Sequence, residues 1–224
     1  MRRCRRAARH FSASASGGSV AKYPPHLVID GFLPQDLHDR LLAHTLASED
    51  RFLPTSVRNA GGDGYKPGTR QSWACEAGLG PLKERFATIF EAQREDLCGQ
   101  LGIPSFELRR SELELVAHRQ GSFFLPHLDT FTAADRADQK SDRVLTMVYY
   151  FHAAPRRFTG GEIAIYPFGP GEPLVIDPAD NRLVAFPSFA MHEVKPISTP
   201  EGDRFEDARF AVNCWFHRPR GQAQ

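Results

Sequence analysis

Apolar residues recur at helical spacing in the first half of the chain and at strand spacing in the second half. After a short predicted strand from Leu27 to Ile29, two stretches carry an apolar stripe on an otherwise polar background, which predicts two surface helices. The stripes consist of Leu37, Leu41, Leu42 and Leu46 in the first helix, and of Leu82, Phe86, Ile89, Phe90 and Leu97 in the second. We expect the second helix to end near Gly99 and Gly102.

From Phe106 onward, short runs rich in β-branched and aromatic residues are separated by clusters of Gly, Pro and Asp. The runs are ELELVAH, RVLTMVYYF, GEIAIYP, PLVI, RLVAF, HEVKPI and ARFAVNCWFH. Because no alternation of strands with helices remains to suggest a parallel sheet, the pattern predicts a β-sandwich or barrel. The expected fold class is therefore α+β and mainly β.

The run RVLTMVYYF is largely apolar on both faces of its predicted strand. One face carries Val144, Thr146, Val148 and Tyr150, and the other carries Leu145, Met147, Tyr149 and Phe151. We expect this strand to be buried on both sides. The N-terminal helices are then the natural cover of the outer face of the main sheet, and the inner face lines a cavity.

Composition bears on function and location. With 28 basic and 27 acidic residues the net charge is +1, which gives no electrostatic footprint for nucleic acid or an anionic membrane. No apolar run approaches the ~20 residues that cross a bilayer. The cysteines Cys4, Cys75, Cys98 and Cys214 are scattered, which argues against a disulfide framework or a thiolate zinc site and favours a reducing compartment.

The first twenty residues, MRRCRRAARHFSASASGGSV, are rich in Arg, Ala and Ser and contain no acidic residue. This composition is typical of a mitochondrial transit peptide and also of a disordered leader on a cytoplasmic protein. We divide the rest into a helical support region at 21–104, a β core at 105–218 and a tail at 219–224, with the first two regions in one domain.

His127 and Asp129 stand two residues apart in the otherwise apolar stretch FFLPHLDTF. On an extended strand, residues i and i+2 project to the same face, so both side chains can reach one metal ion. His192, in FPSFAMHEVKP, is the best third ligand. Two imidazoles and one carboxylate form the facial triad of non-haem Fe(II) oxygenases. The alternative is that His127 and Asp129 are ordinary polar residues at the surface.

Arg209 begins the run RFAVNCWFH, in which Arg209, Ala211, Asn213 and Trp215 alternate with apolar residues. The turn-rich stretch STPEGDRFED separates this run from His192, so we expect their strands to lie side by side. A buried arginine needs a carboxylate partner, and its planar fork suits a dicarboxylate ligand. The alternative is an exposed arginine at a strand end.

Residues 105–218 resemble the 2-oxoglutarate and Fe(II)-dependent dioxygenases of the prolyl 4-hydroxylase type, especially the hypoxia-sensing branch and its small bacterial relatives. The resemblance rests on the order of FFLPHLD, RVLTMVYYF, GGEIAIYP, NRLVAFPSFAMHEVKP and ARFAVNCWFH. It implies a double-stranded β-helix, or jelly roll, in which His127, Asp129 and His192 hold Fe(II).

The resemblance also implies an activity and a cosubstrate site. Arg209 is expected to pair with the distal carboxylate of 2-oxoglutarate with help from the Tyr150 hydroxyl, and Asn213 to line the same pocket. With O2 as the other cosubstrate and ascorbate as a candidate reductant, the reaction hydroxylates a C–H bond and yields succinate and CO2. The implied prime substrate is a prolyl residue in a protein or peptide, or a free amino acid or small metabolite.

The chain departs from the family in places. Collagen-type members carry a tyrosine nine residues before the first ligand, where this chain has His118, which weakens the case for a cosubstrate contact at that position. The connection from Asp129 to Arg143 is long and polar and is expected to form a lid. The connection from His192 to Arg209 is also long.

Alternatives remain open at this point. Four residues in or near the Gly-rich loop Asn59 to Gly68 are either part of a substrate wall or ordinary surface residues: Arg58, Lys66, Arg70 and Trp73. A zinc hydrolase with the same ligands has no use for Arg209 and Tyr150 in the cavity. A β-container that binds a ligand without turnover tolerates the loss of a metal ligand.

Overall fold

The structure, a computed structural model, describes residues 21–55, 57–59, 62–64, 68–130, 139–199 and 204–220, with the backbone alone at 57–59 and 62–64. Two helices lie in the first half of the chain, α1 (Gln35–Leu46) and α2 (Lys83–Leu101). Helix α2 ends as predicted, because Gly102 adopts the left-handed conformation that closes a helix C-terminus. Short 3-10 turns lie at Glu49–Arg51, Gly80–Leu82 and Phe205–Asp207.

Strands are numbered in chain order and form two main sheets whose neighbours pair antiparallel. Across the seven-stranded sheet the order is β1 (Leu27–Asp30), β13 (Arg182–Pro187), β9 (Ser141–Phe151), β16 (Arg209–Pro219), β7 (Arg110–His118), β6 (Trp73–Cys75) and β2 (Phe52–Pro54). Across the five-stranded sheet it is β12 (Leu174–Ile176), β11 (Ile163–Ile165), β14 (His192–Val194), β8 (Phe123–His127) and β5 (Arg70–Gln71).

Two small antiparallel pairs complete the described β structure: β3 (Val57–Asn59) with β4 (Gly62–Gly64), and β10 (Thr159–Gly160) with β15 (Ile197–Ser198). The prediction of a mainly antiparallel β protein with two N-terminal helices is confirmed. Neither helix is long and apolar enough to cross a membrane.

Two apolar clusters share the seven-stranded sheet. One contains Leu41 and Phe90 from the helices together with Leu145, Met147 and Tyr149 of β9. The other contains Val148 and Tyr150 of β9 with Ile163, Ile165 and Ile176 of the five-stranded sheet, and it therefore lies between the sheets. Strand β9 is thus buried on both faces, as its sequence predicts.

The structure corrects two expectations. The Gly-rich stretch from Asn59 to Gly68 is not wholly irregular, because β3 pairs with β4 across its start. The strands of His192 and Arg209 do not lie side by side, because β14 pairs with β8 and β11 whereas β16 pairs with β7 and β9 in the other sheet. The long connection between them crosses from one sheet to the other.

Gly160 and Gly161 allow the backbone to turn close to β15. Both have positive φ, +76° and +74°. A Cβ on Gly160 would lie 2.0 Å from the carbonyl oxygen of Pro196, and a Cβ on Gly161 would lie 2.8 Å from the Ile197 side chain and 3.1 Å from Cδ of Arg209. Only glycine both adopts a positive φ without strain and leaves room for these neighbouring atoms.

Phe90→Ala tests the cluster that the helices share with the sheet. Phe90 is fully buried against Phe32 and Phe86. We expect the free energy of unfolding, measured by urea denaturation, to fall by about 3–5 kcal/mol because a large buried side chain is replaced by a cavity. Leu53→Ala is the control, since Leu53 is 49% exposed; a comparable loss in both variants would contradict this role for Phe90.

Gly161→Ala tests the close approach at the Gly160–Gly161 turn. Gly31→Ala is its matched control, because Gly31 also has positive φ (+60°) but no atom within 4 Å of the added Cβ. The control should lose about 1–2 kcal/mol of unfolding free energy from backbone strain. Gly161→Ala should lose about 1–3 kcal/mol more from overpacking. Equal melting behaviour of the two variants would show that Ile197 and Arg209 give way freely.

Candidate metal centre and anion pocket

His127, Asp129 and His192 converge between the strands β8 and β14. His127 is the last residue of β8 and His192 the first of β14, and they are direct cross-strand partners. One potential ligand atom from each of the three residues lies within 4.8 Å of the other two. The expectation that the strand continues through Asp129 is wrong, because Asp129 lies in the bend after β8. The three side chains nevertheless converge.

The backbone determines which nitrogen each imidazole turns towards Asp129. Nδ1 of His127 lies 2.8 Å from the carbonyl oxygen of Leu125, and Nδ1 of His192 lies 2.9 Å from that of Ala190. A carbonyl only accepts, so each Nδ1 carries a proton, and in the neutral ring Nε2 is then the atom with the lone pair. Nε2 of His127 and Nε2 of His192 lie 3.8 and 3.7 Å from the Asp129 carboxylate. Both rings are therefore oriented as metal-binding histidines are.

Hydrogen bonds from the other sheet orient the Asp129 carboxylate. Thr146 Oγ1 of β9 donates to Asp129 Oδ2 at 2.8 Å and is itself 2.9 Å from the Ser188 hydroxyl. The backbone N–H of Asp129 donates to the Ser188 carbonyl at 3.0 Å. Because the Thr146 hydroxyl donates its one hydrogen to Asp129, it accepts from the Ser188 hydroxyl. Thr146 thus orients the carboxylate, and the Ser188 carbonyl holds the backbone that carries it.

The surroundings favour an ionised Asp129 carboxylate and a neutral His127 imidazole. Burial alone would raise the pKa of Asp129, but the neighbouring His192 and His127 lower it below its usual value. Burial and the adjacent His192 lower the pKa of His127. These are the protonation states in which Asp129 and His127 can coordinate a metal.

Aromatic rings restrict the two imidazoles further. Phe124 stacks on His127 with centroids 3.5 Å apart, and Phe186 meets His192 edge-on at 4.7 Å. Arg70 lies over the Phe124 ring, with Cζ 5.0 Å from its centroid. Phe124 therefore contacts both His127 and Arg70.

Arg209 is buried on the seven-stranded sheet, with 1% of its surface exposed. The expected carboxylate partner is missing among the residues that the structure describes: Nη2 contacts Nδ1 of His118 at 2.6 Å, and Nε and Nη1 have no hydrogen-bond partner. Burial lowers the pKa of Arg209, but a guanidinium stays protonated at neutral pH. A buried cation without an anion marks a site for an anionic ligand.

Tyr150 lies beside this guanidinium, with the Cζ of Arg209 5.0 Å from the ring centroid. Its hydroxyl is buried and has no hydrogen-bond partner in the described part of the chain. Burial raises the pKa of Tyr150 to about 12, so the hydroxyl is a proton donor at neutral pH. Within the described part of the chain, an unused hydroxyl donor and two unused guanidinium nitrogens therefore belong to neighbouring side chains.

Asn213 and Arg70 meet at Glu114, which β7 presents next to β16. Asn213 Nδ2 and Arg70 Nη2 donate to the same Oε2 of Glu114, at 3.2 and 3.3 Å. The side chain of Arg58 and all of Lys66 lie outside the described residues, as does most of the expected lid after Asp129. Trp73 lies on β6, with Arg119 above its ring.

Sequence reasoning missed the residues that support the site. Thr146 and Ser188 orient Asp129, and Gly161 leaves room for the stem of Arg209. Thr146 carried a signal, since it is a polar residue on the inner face of an apolar strand. Ser188 contributes mainly its backbone carbonyl, which no side-chain pattern reveals.

Comparison with known proteins agrees with this geometry. Residues 113–217 match the model of the 2OG-Fe(II) oxygenase superfamily. The chain is 24% identical over 198 residues to an uncharacterized PKHD-type hydroxylase from Synechocystis sp.. That match covers 85% of this chain and 62% of the relative, so the chain spans less than two thirds of the relative's length.

Two solved structures share the fold at low sequence identity. A prolyl-4-hydroxylase from Pseudomonas putida has a TM-score of 0.63 and 22% identity, covering 89% of this chain and 94% of its own. A prolyl hydroxylase from Trichoplax adhaerens, solved with a peptide fragment of the hypoxia inducible factor oxygen degradation domain, has a TM-score of 0.64 and 18% identity, covering 86% and 83%. Residues 113–217, which match the 2OG-Fe(II) oxygenase superfamily, therefore contain the His127, Asp129 and His192 cluster, and the chain shares the fold of these two prolyl hydroxylases.

Proposed function

We propose that the protein is a dioxygenase that uses Fe(II), 2-oxoglutarate and O2 to hydroxylate a C–H bond, with release of succinate and CO2. The observation that carries the proposal is the presence of two complementary sites on facing sheets. A cluster of two imidazoles and one carboxylate suits Fe(II), and the buried Arg209 suits the second carboxylate of a chelating dicarboxylate.

In this proposal His127, Asp129 and His192 hold the iron. Three protein ligands leave coordination positions open, where bound Fe(II) supplies the redox chemistry of 2-oxoglutarate and O2. The protonated Nδ1 atoms of both histidines fix the rings. Thr146 keeps the carboxylate turned towards them. These contacts prepare the site before any metal arrives.

Arg209 and Tyr150 are proposed to bind the distal carboxylate of 2-oxoglutarate. Nε and Nη1 of Arg209 and the Tyr150 hydroxyl are three buried donors that have no partner among the described residues, and a carboxylate offers matching acceptors. Asn213, whose amide already donates to Glu114, is proposed to line the same cavity. A zinc hydrolase would leave the donors of Arg209 and Tyr150 unused, which weighs against that alternative.

We also propose a support role for the N-terminal part. Leu41 and Phe90 share an apolar cluster with Met147 of β9, which supports helices that cover the outer face of the large sheet. On this view residues 21–104 brace a catalytic core at 105–218, with a leader at 1–20 and a tail at 219–224. Three free, buried cysteines in the described residues agree with a reducing compartment, cytoplasmic or mitochondrial.

For the prime substrate we propose a prolyl residue within a peptide or protein. Phe168 and Phe189 stack on each other with centroids 6.3 Å apart, yet each is more than half exposed, and Met191 is 38% exposed. Phe189 follows Ser188, which orients Asp129, and Met191 precedes His192, so apolar surface flanks the proposed ligands. Exposed apolar surface of this kind is typical of an interaction site. The peptide bound to the Trichoplax relative supports the same class.

Anaerobic titration tests the cosubstrate site. The parent protein with Fe(II) should develop a visible metal-to-ligand charge-transfer band when 2-oxoglutarate is added. His192→Ala should abolish the band, and Arg209→Ala should need at least about tenfold more 2-oxoglutarate because a charge-assisted pair is worth ~1.5–3 kcal/mol. His26→Ala, a histidine outside the cluster, is the control. Tight zinc binding without any response to 2-oxoglutarate would overturn the assignment.

Phe189→Ala tests the substrate class. With a proline-containing peptide, we expect the parent to form hydroxyproline and succinate in equal amounts, and Phe189→Ala to raise KM for the peptide several-fold with little change in the affinity for 2-oxoglutarate. Val175→Ala, another exposed apolar residue on the edge strand β12, should leave KM unchanged. Efficient hydroxylation of free proline, insensitive to Phe189→Ala, would point to an amino-acid hydroxylase instead.

A further inference from the structure

The contact between His118 and Arg209 joins two fully buried side chains. The residues are cross-strand partners at one end of β7 and β16, and 4% and 1% of their surfaces are exposed. Nη2 of Arg209 lies 2.6 Å from Nδ1 of His118. In the described part of the chain this is the one hydrogen bond of the guanidinium. The orientation of the guanidinium therefore depends on His118.

The chemistry of the pair determines the protonation of His118. A guanidinium has five N–H donors and no acceptor, so Nδ1 of the imidazole must accept. His118 is therefore neutral, with its proton on Nε2. Burial and the adjacent Arg209 lower the pKa of His118 well below its usual value, which keeps it neutral at physiological pH.

A neutral partner has a consequence that a carboxylate would not have. An aspartate or glutamate at this position would orient Arg209 equally well, but it would cancel the positive charge and remove the attraction for an anion. The imidazole accepts one N–H and leaves both the charge and the Nε and Nη1 donors available. Gly161 complements it, since the absence of a Cβ there leaves space for Cδ of Arg209.

We infer that His118 is a positioning residue for the cosubstrate: it orients the Arg209 guanidinium without neutralising it, so that the free nitrogens face the distal carboxylate of 2-oxoglutarate. This inference rests on the proposed function and assigns a role to a position where collagen-type relatives carry tyrosine. Ordering a long side chain before the ligand arrives improves affinity, because the ordering cost no longer falls on the binding step.

Three variants of the protein test separately the hydrogen-bond acceptor of His118 and its lack of charge. His118→Asn keeps an acceptor, since its amide oxygen can replace Nδ1. His118→Leu removes the acceptor at similar size. His118→Asp keeps an acceptor but adds a negative charge beside Arg209. Circular dichroism and melting temperature establish folding, and if His118→Leu does not fold, the Asn and Asp variants carry the test.

The measurement is the anaerobic titration of each Fe(II)-loaded variant with 2-oxoglutarate and with pyruvate, which has the same chelating keto acid but no distal carboxylate. We expect His118→Leu to weaken 2-oxoglutarate binding by about 10-fold or more, within the 10–100-fold typical of outer residues that orient a ligand-binding group. His118→Asp should weaken it further, and His118→Asn should stay near the parent. Pyruvate and Fe(II) affinities should change little in all three.

The outcomes distinguish this inference from the function on which it rests. If the parent shows no charge-transfer band, the proposed function fails and the inference with it. If the parent binds 2-oxoglutarate and His118→Leu binds it equally well, only the inference fails. An equal loss for 2-oxoglutarate and pyruvate in His118→Leu also overturns it, since the histidine would then support the site as a whole and not the distal carboxylate.

Discussion

In β9 and β16 successive side chains face two different apolar clusters, and the positions of Thr146, Tyr150 and Arg209 depend on that alternation. Leu145 and Met147 pack in the cluster that contains the helices, whereas Tyr150 faces the five-stranded sheet and Thr146, on the same side of β9, reaches Asp129. A shift of one residue would turn Thr146 and Tyr150 outward and place apolar side chains at the site. The apolar packing of Leu145 and Met147 therefore sets the register of β9, and this register places Thr146 and Tyr150 on the face towards the five-stranded sheet.

The two charged groups of the site are stabilised in opposite ways. Asp129 accepts a hydrogen bond from the Thr146 hydroxyl, so its carboxylate is oriented before a metal binds. Arg209 has only a neutral acceptor, and its positive charge stays uncompensated in the described structure. Burying an unpaired charge costs free energy, and the overall packing of the sheets must offset that cost. We expect the uncompensated charge of Arg209 to give affinity for an anionic ligand that pairs with it.

Much of the fold followed from the sequence because period-2 and helical patterns are local. The sequence pattern alone predicts the strands around β7, β9 and β16. It also predicts both helices from their apolar stripes. The expectation of an extended strand through Asp129 was wrong because the chain bends after His127, where the backbone N–H of Asp129 bonds to the carbonyl of Ser188. The carbonyl belongs to a distant segment, and residue type does not influence whether it accepts.

The sequence by itself determined the residue types that can bind a metal and an anion, and the faces of β9 and β16 on which Tyr150 and Arg209 project, because side-chain chemistry and strand periodicity are properties of short segments. Only the tertiary structure decided that the strands of His192 and Arg209 belong to different sheets, and that the partner of Arg209 is His118, 91 residues away. Strand order and register depend on how all the segments bury their apolar faces together, so no single segment encodes which group faces a buried charge.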